Sequence, residues 1–340
     1  MAARPRPYLA WLAQALPRVG SEHFRRIVTK GLLVALLAVA GCAPLPQSTS
    51  AVVVTGYPRV DGSTSTQPLQ VLAACKRLGV SCSWREPSDP GALRQIVPDA
   101  RATQSAPGQW LQSLQHTGTH ESYVGLISKK TDLILVARTP SEDEAAAAER
   151  AGVQLDVRPV ALDAFVILLN RANPVESLHV DQVRMIYMDM LTDWAKLGGT
   201  QSAISAYRRN RNSGSQELME ALVMKGEEMP EAPPEMVEQG MGGLVRVVHE
   251  NPSAIGYIVY YYASNMLYNQ NVKMVGIGGV KPTSETIGNR TYPLVAEVYV
   301  VLRSDTPAGH PAAVLRDWLL TPEGQATVAE SGYVPLAMNR

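Results

Sequence analysis

The stretch Arg208-Arg209-Asn210-Arg211-Asn212-Ser213-Gly214-Ser215-Gln216 places cationic side chains directly ahead of hydroxyls and a glycine. A helical pattern follows at 217–224. Ser213 and Gln216, three apart, read as a capping box, which puts a helix start at Ser213. A helix start offers unpaired N–H groups and a partial positive charge. With a guanidinium just upstream and two hydroxyls on the first turn, the segment forms a cradle for an oxyanion. The same residues also suit a plain surface helix with a capping serine and solvated arginines, so other parts of the chain must separate the two readings.

Two further hydroxyl-rich helix starts appear. In 61–69, Ser65 and Thr66 precede Pro68, a residue suited to a first helical turn; Leu69, Leu72, Ala73 and Lys76 keep helical spacing, and Gly79 closes the helix. In 117–122, Thr119 and its neighbours precede Tyr123, Leu126 and Ile127. The elements that would position these starts alternate along the chain. Strands are expected at 52–55, 132–137, 164–169, 254–262 and 293–302. Helices are expected at 142–150, 180–190, 244–250, 311–319 and 322–331, with a short one near 109–115 in an otherwise aperiodic 84–114. Residues 226–236 form an acidic, Pro-rich loop. The alternation argues an α/β protein with two open sheets.

Length and composition fit a soluble globular protein with room for two lobes: 340 residues, 46% hydrophobic and 18% charged. The zero net charge divides into +5 over residues 1–41 and −5 over 42–340. A nucleic-acid surface is not indicated, and any anion must be held by local donors. The basic N-terminus leads into an apolar run over 31–41, too short to span a bilayer and typical of a signal-peptide core. Val39-Ala40-Gly41-Cys42 resembles a bacterial lipobox, which implies cleavage before Cys42 and lipidation of its thiol; a plain secretory signal is the alternative. Residues 43–51 read as a tether. Cys75 and Cys82, exported to an oxidising compartment, are either a disulfide or two unpaired thiols. His116 and His120 lack an evident third partner for zinc, and the hydrolase elbow, nucleotide-phosphate loop and dinucleotide fingerprint are absent from the sequence. No metal or cofactor is expected.

The order of the segments resembles the phosphate-binding subunit of bacterial phosphate ABC importers, a class II periplasmic-type binding protein. The resemblance rests on 61–69, 131–138, 186–194, 209–215, 251–257, 322–325 and 332–336. It implies an α/β fold of two lobes, each an open mixed sheet flanked by helices, with the ligand cleft between them. Lobe 1 would comprise 52–160 plus 294–340 and lobe 2 would comprise 161–293, with hinge crossings near 160 and 294. The implied ligand residues are Ser65, Thr66 and Gln67 from the first loop, Thr119 from the second, and Arg209, Ser213, Gly214 and Ser215 from the third.

Two departures stand out. Arg138 occupies the position where related proteins usually carry an aspartate that accepts the proton of a protonated phosphate, and Arg211-Asn212 replace a usual Asp-Gly pair. The resemblance thereby makes Arg138 a ligand residue as well, and an arginine facing the ligand weakens discrimination between phosphate and other oxyanions, unless Asp132, Glu142 or Asp143 substitutes. The implied function is a monomeric, lipid-anchored extracytoplasmic solute-binding protein that delivers phosphate or a similar oxyanion to an ABC permease and performs no chemistry. Alternatives are a sensor or scaffold on the same fold, or a phosphohydrolase.

Overall fold

Three apolar runs form the middle of the sheet because both of their faces are covered. Leu133–Val136, Ala254–Val259, and the strand Leu155–Asn170 from residue 160 onward are buried at every position. The computed structural model describes residues 56–87, 93–99, 106–111, 113–267 and 271–336. These all belong to one compact unit, Val52–Arg340; the other unit, Met1–Ala51, lies outside the described residues. The expected signal segment, the tether, Cys42 and the strand at 52–55 therefore also lie outside them.

In chain order the strands are β1 (Val60–Gly62), β2 (Cys82–Arg85), β3 (Gln95–Pro98), β4 (Leu133–Val136), β5 (Leu155–Asn170), β6 (Ser177–Leu178) and β7 (Ser205–Ala206). They continue with β8 (Arg208–Arg209), β9 (Val237–Glu238), β10 (Ala254–Val259), β11 (Val272–Met274), β12 (Gly276–Ile277), β13 (Val295–Arg303) and β14 (Val334–Pro335). The helices are α1 (Gln67–Leu78), α2 (Ala106–Leu111), α3 (Thr119–Ile127), α4 (Glu142–Arg150) and α5 (Val180–Tyr187). Then come α6 (Gly214–Leu218), α7 (Met241–Glu250), α8 (Ser284–Gly288), α9 (Pro311–Leu319) and α10 (Pro322–Glu330).

An eight-stranded mixed sheet runs β1-β4-β13-β5-β10-β7, with β11 and β14 also on β5. β1 lies parallel to β4 and β7 parallel to β10, while β5 is antiparallel to all four of its partners. Those partners change along its length. β13 pairs with β5 as far as Val295↔Ala164, and β10 takes over at Val259↔Phe165. The first half of β5 thus belongs with β1, β4, β13 and β14, the second half with β7, β10 and β11. Helices α3, α9 and α10 pack on the first group and α7 on the second, with α1 packed against α10. In the second, the Tyr257 ring packs tilted against Phe165 and edge-to-face against Tyr187, at centroid distances of 5.4 and 5.3 Å.

Most expected elements appear within a few residues of their expected limits. The strand expected at 254–262 stops at Val259, and the chain winds helically from Tyr262 to Met266. The unread stretch after α1 contains a hairpin, β2–β3, and Cys75 and Cys82 form a disulfide that ties it to α1. Gly79 ends α1 at φ 66°, a left-handed conformation that glycine adopts without steric cost.

Candidate functional site

A cleft of about 530 Å³ is lined by residues 63–65, 117–121, 137, 209–215, 239–242, 259 and 262. Four of these segments are chain turns into helices: the 3-10 turn Thr64–Thr66 ahead of α1, then α3, α6 and α7. Orphan N–H groups and dipoles at helix starts favour an anion locally, although the chain beyond residue 41 is acidic.

The first two loops are knitted together by short polar side chains. The Asp61 carboxylate accepts from the backbone N–H of Gly62 (2.7 Å), the backbone N–H of Thr117 (2.9 Å) and the Thr117 hydroxyl (2.7 Å). Gly118 N–H donates to the Gly62 carbonyl at 3.1 Å. Ser63 and Thr119 share a hydroxyl–hydroxyl bond of 2.7 Å, and Ala137 N–H donates to Ser63 Oγ at 3.2 Å. Ser63 thus joins the end of β1, the end of β4 and the start of α3. Gly62 is required by close approach, since a Cβ there would meet the Leu135 carbonyl oxygen at 2.0 Å.

The third loop is set by an αL residue and a cap. Asn212 adopts φ 64°, a conformation asparagine tolerates better than most residues, so it stands in sterically for the usual glycine. Ser213 caps α6 through Gln216 N–H at 3.2 Å. The reciprocal half of the expected capping box is missing. The Gln216 side chain instead accepts from the Tyr257 hydroxyl and donates to Glu220, and Tyr257 in turn accepts from Arg209 N–H at 3.1 Å. This relay fixes the Arg209 backbone against α6. At Gly214 an added Cβ would stand 2.7 Å from Thr119 Oγ1, so the starts of α3 and α6 touch across the cleft.

The two arginines singled out in the sequence have different surroundings. Arg209 is 9% exposed and lines the cleft. Its guanidinium donates to the backbone carbonyls of Glu238 (3.0 Å) and Gln239 (3.1 Å) and to the Asn210 side chain (3.3 Å). Among the described residues no carboxylate forms an ion pair with it. Burial pushes its pKa down from the ordinary arginine value, and the nearby Tyr257, Tyr262 and Glu238 only partly offset this. A buried cation without a counter-ion is costly unless an anion joins it.

Arg138 lies outside the lining of the cleft, contrary to the expectation that it faces the ligand. It donates to both oxygens of the fully buried Glu144, Nη1 at 2.7 Å and Nη2 at 2.8 Å, and sits over the Tyr123 ring at 5.6 Å. Its remaining bonds go to the carbonyls of Thr139 (2.9 Å) and Asn212 (3.3 Å), so it braces the third loop from behind. The candidate substitutes for a cleft carboxylate are also engaged elsewhere: Asp132 holds Arg59 at 2.6 Å, and Glu142 and Asp143 are exposed on the first turn of α4.

Of the expected ligand residues, Ser65, Thr119, Arg209, Ser213, Gly214 and Ser215 come together in the cleft. Thr66 and Gln67 do not line it. The Thr66 hydroxyl points into the fold, donating to the carbonyls of Ser63 (2.9 Å) and Leu135 (2.8 Å), and makes no cap bond to α1. Residues not anticipated are Ser63, Thr64, His120 and the start of α7. Ser63 and Thr64 lie in the same hydroxyl-rich run as Ser65, so a broader reading of that run would have included them. The α7 start carries no hydroxyl to signal it, and Glu238 already leans over it: a Cβ at Gly243 would meet Glu238 Oε2 at 2.1 Å.

A mixed sheet flanked by helices, with helix starts from both strand groups meeting at one cleft, is the architecture of the periplasmic-type binding proteins. The chain belongs to the PBP superfamily domain family, whose model matches residues 55–323. It is similar to the phosphate-binding protein PstS of Bacillus subtilis strain 168, 24% identical over 178 residues, which are 52% of this chain and 56% of that protein. It is also similar to PstS of Pseudomonas aeruginosa, 26% identical over 205 residues, 55% of this chain and 62% of that one. The match therefore spans less than two thirds of these relatives' length. Among solved structures, one with bound phosphate from Clostridium perfringens superposes with a TM-score of 0.62 at 21% identity, covering 83% of this chain and all 100% of that one. An ABC-type phosphate transport receptor from Vibrio cholerae gives 0.59 at 22%, covering 82% and 100%. At these identities the likeness establishes the shared fold.

Proposed function

We propose that this protein captures phosphate, or a similar tetrahedral oxyanion, in the cleft and delivers it to an ABC permease. The observation that carries the reading is Arg209: a buried guanidinium without a carboxylate partner, facing a cleft where the starts of α3 and α6 converge. Arg209 supplies the planar charged fork. Ser65, Thr119, Ser213, Gly214 and Ser215, joined by Ser63 and Thr64, supply hydroxyl and backbone donors. Arg138 supports the third loop rather than touching the ligand.

The lobes in this proposal are 52–160 plus 294–340, and 161–293. Their hinge is the change of partners on β5 at Ala164 and Phe165, with the return crossing at Leu294, whose carbonyl accepts from Phe165 N–H at 2.9 Å. Ligand binding shifts an open–closed equilibrium about that hinge. The chain is exported, anchored through lipidated Cys42 and monomeric, and it performs no chemistry. The names and titles of its relatives, phosphate-binding proteins and phosphate transport receptors, support the ligand class.

Calorimetric titration of the protein with phosphate and with sulfate, after removal of endogenous ligand, tests the reading. Saturable heat with either anion, lost in Arg209→Ala, is expected. No heat with either anion ends the transport reading, and very weak binding of every oxyanion favours a sensor or scaffold. Phosphatase activity abolished by Ser213→Ala replaces the reading with a hydrolytic one.

A further inference from the structure

His120 lines the cleft on the first turn of α3, beside Thr119, and its imidazole is one third exposed. Its Nδ1 lies 3.0 Å from Glu144 Oε1. Glu144 is wholly buried and receives Arg138 on both oxygens, with Ser141 N–H on Oε2 at 2.9 Å. A carboxylate held bidentate by an arginine is an acceptor only, so the hydrogen of the His120 contact sits on Nδ1. That settles the tautomer: in the neutral ring, Nε2 carries a lone pair, and among the described residues no hydrogen bond occupies it.

The other cleft side chains with a settled polarity, Arg209 above all, are donors. Among the lining residues the one carboxylate is Glu121, which is exposed. The neutral imidazole therefore adds a ring-nitrogen acceptor to the hydroxyl and amide oxygens of the cleft.

We propose that His120 is a specificity-determining ligand contact whose Nε2 lone pair accepts the proton of a protonated oxyanion. This rests on the reading of the cleft as an oxyanion site. The charged group in contact with the ring is Glu144, with Arg138 behind it, and Glu121, Arg209 and Arg211 are the other charged residues that line the cleft.

Sulfate carries no proton at neutral pH whereas phosphate carries at least one, so the ratio of the two affinities reads an acceptor for that proton. Titration of the purified protein at neutral pH is expected to show phosphate binding about tenfold tighter than sulfate, the size of one hydrogen bond. In His120→Phe and His120→Gln, phosphate affinity is expected to fall about tenfold towards that of sulfate. His120→Gln, a polar replacement of similar reach, covers the case in which the phenylalanine variant does not fold. Equal affinities for the two anions in the unaltered protein, or an unchanged ratio in either variant, overturns the assignment. If Arg209→Ala leaves both anions binding normally, the cleft reading fails first and the role of His120 falls with it.

Discussion

Arg138 and Arg209 are both buried arginines at the ends of strands, and both were candidates for the ligand. Arg138 meets a carboxylate on both arms and braces a loop; Arg209 meets only carbonyls and an amide, and opens onto the cleft. Two cations of the same kind have thus been assigned opposite tasks by the placement of one acid, Glu144. A buried charge neutralised within the fold contributes to architecture, whereas one without a counter-ion is, in the proposed function, completed by the ligand.

The contrast can be broken by exchanging the two phenotypes. Arg209→Ala should cost about 5 kcal/mol of phosphate binding, abolishing the calorimetric signal, with no loss of melting temperature because an uncompensated buried cation is removed. Arg138→Ala should do the opposite: about 4 kcal/mol of stability lost in denaturant titration, because Glu144 is left buried without its partner, and phosphate affinity nearly retained in the folded fraction. If Arg138→Ala abolishes binding in a stably folded protein, the two arginines are not distinct.

A third buried charge sharpens the comparison at the hinge. Asp163 is fully enclosed beside the change of partners on β5; Oδ1 accepts from Ala164 N–H (2.8 Å) and Tyr261 N–H (2.9 Å), while Oδ2 is unpartnered. Burial pushes its carboxyl up to about 7, with the two N–H groups pulling the other way. Its folded value lies above the ordinary 3.8, so its contribution to stability is complete below about pH 4 and declines as pH rises towards 7. Asp163→Asn should remove that decline and raise stability above pH 7 by on the order of 4 kcal/mol in chemical denaturation. An unchanged pH profile would show that Asp163 is not the group responsible.

The smallest effect concerns the cap that shapes the third loop. Ser213→Ala should lower stability by about 1 kcal/mol through loss of the Gln216 N–H bond, and weaken phosphate binding as well if the hydroxyl also reaches the ligand. Loss of stability without loss of affinity would make Ser213 a cap alone.

The apolar runs of β4, β5 and β10, the starts of α3 and α6, and the clustering of hydroxyls with Arg209 were all legible in the residues, because period, capping and turn chemistry act over a few positions. Less was legible where a side chain had a choice of distant partners. Gln216 was read as the reciprocal half of a cap but is claimed by Tyr257, and Thr66 was read as a donor to the cleft but is claimed by Leu135. Arg138 was placed in the cleft by the resemblance because its partner, though only six residues on, reaches it only once α4 folds back over the end of β4. The sequence by itself determined the α/β alternation, the hydroxyl-rich helix starts and the cationic loop, all consequences of local stereochemistry. Only the tertiary structure decided which arginine remains open and that His120 turns one nitrogen to Glu144 beside the cleft, because charge compensation depends on which groups folding brings within hydrogen-bonding distance.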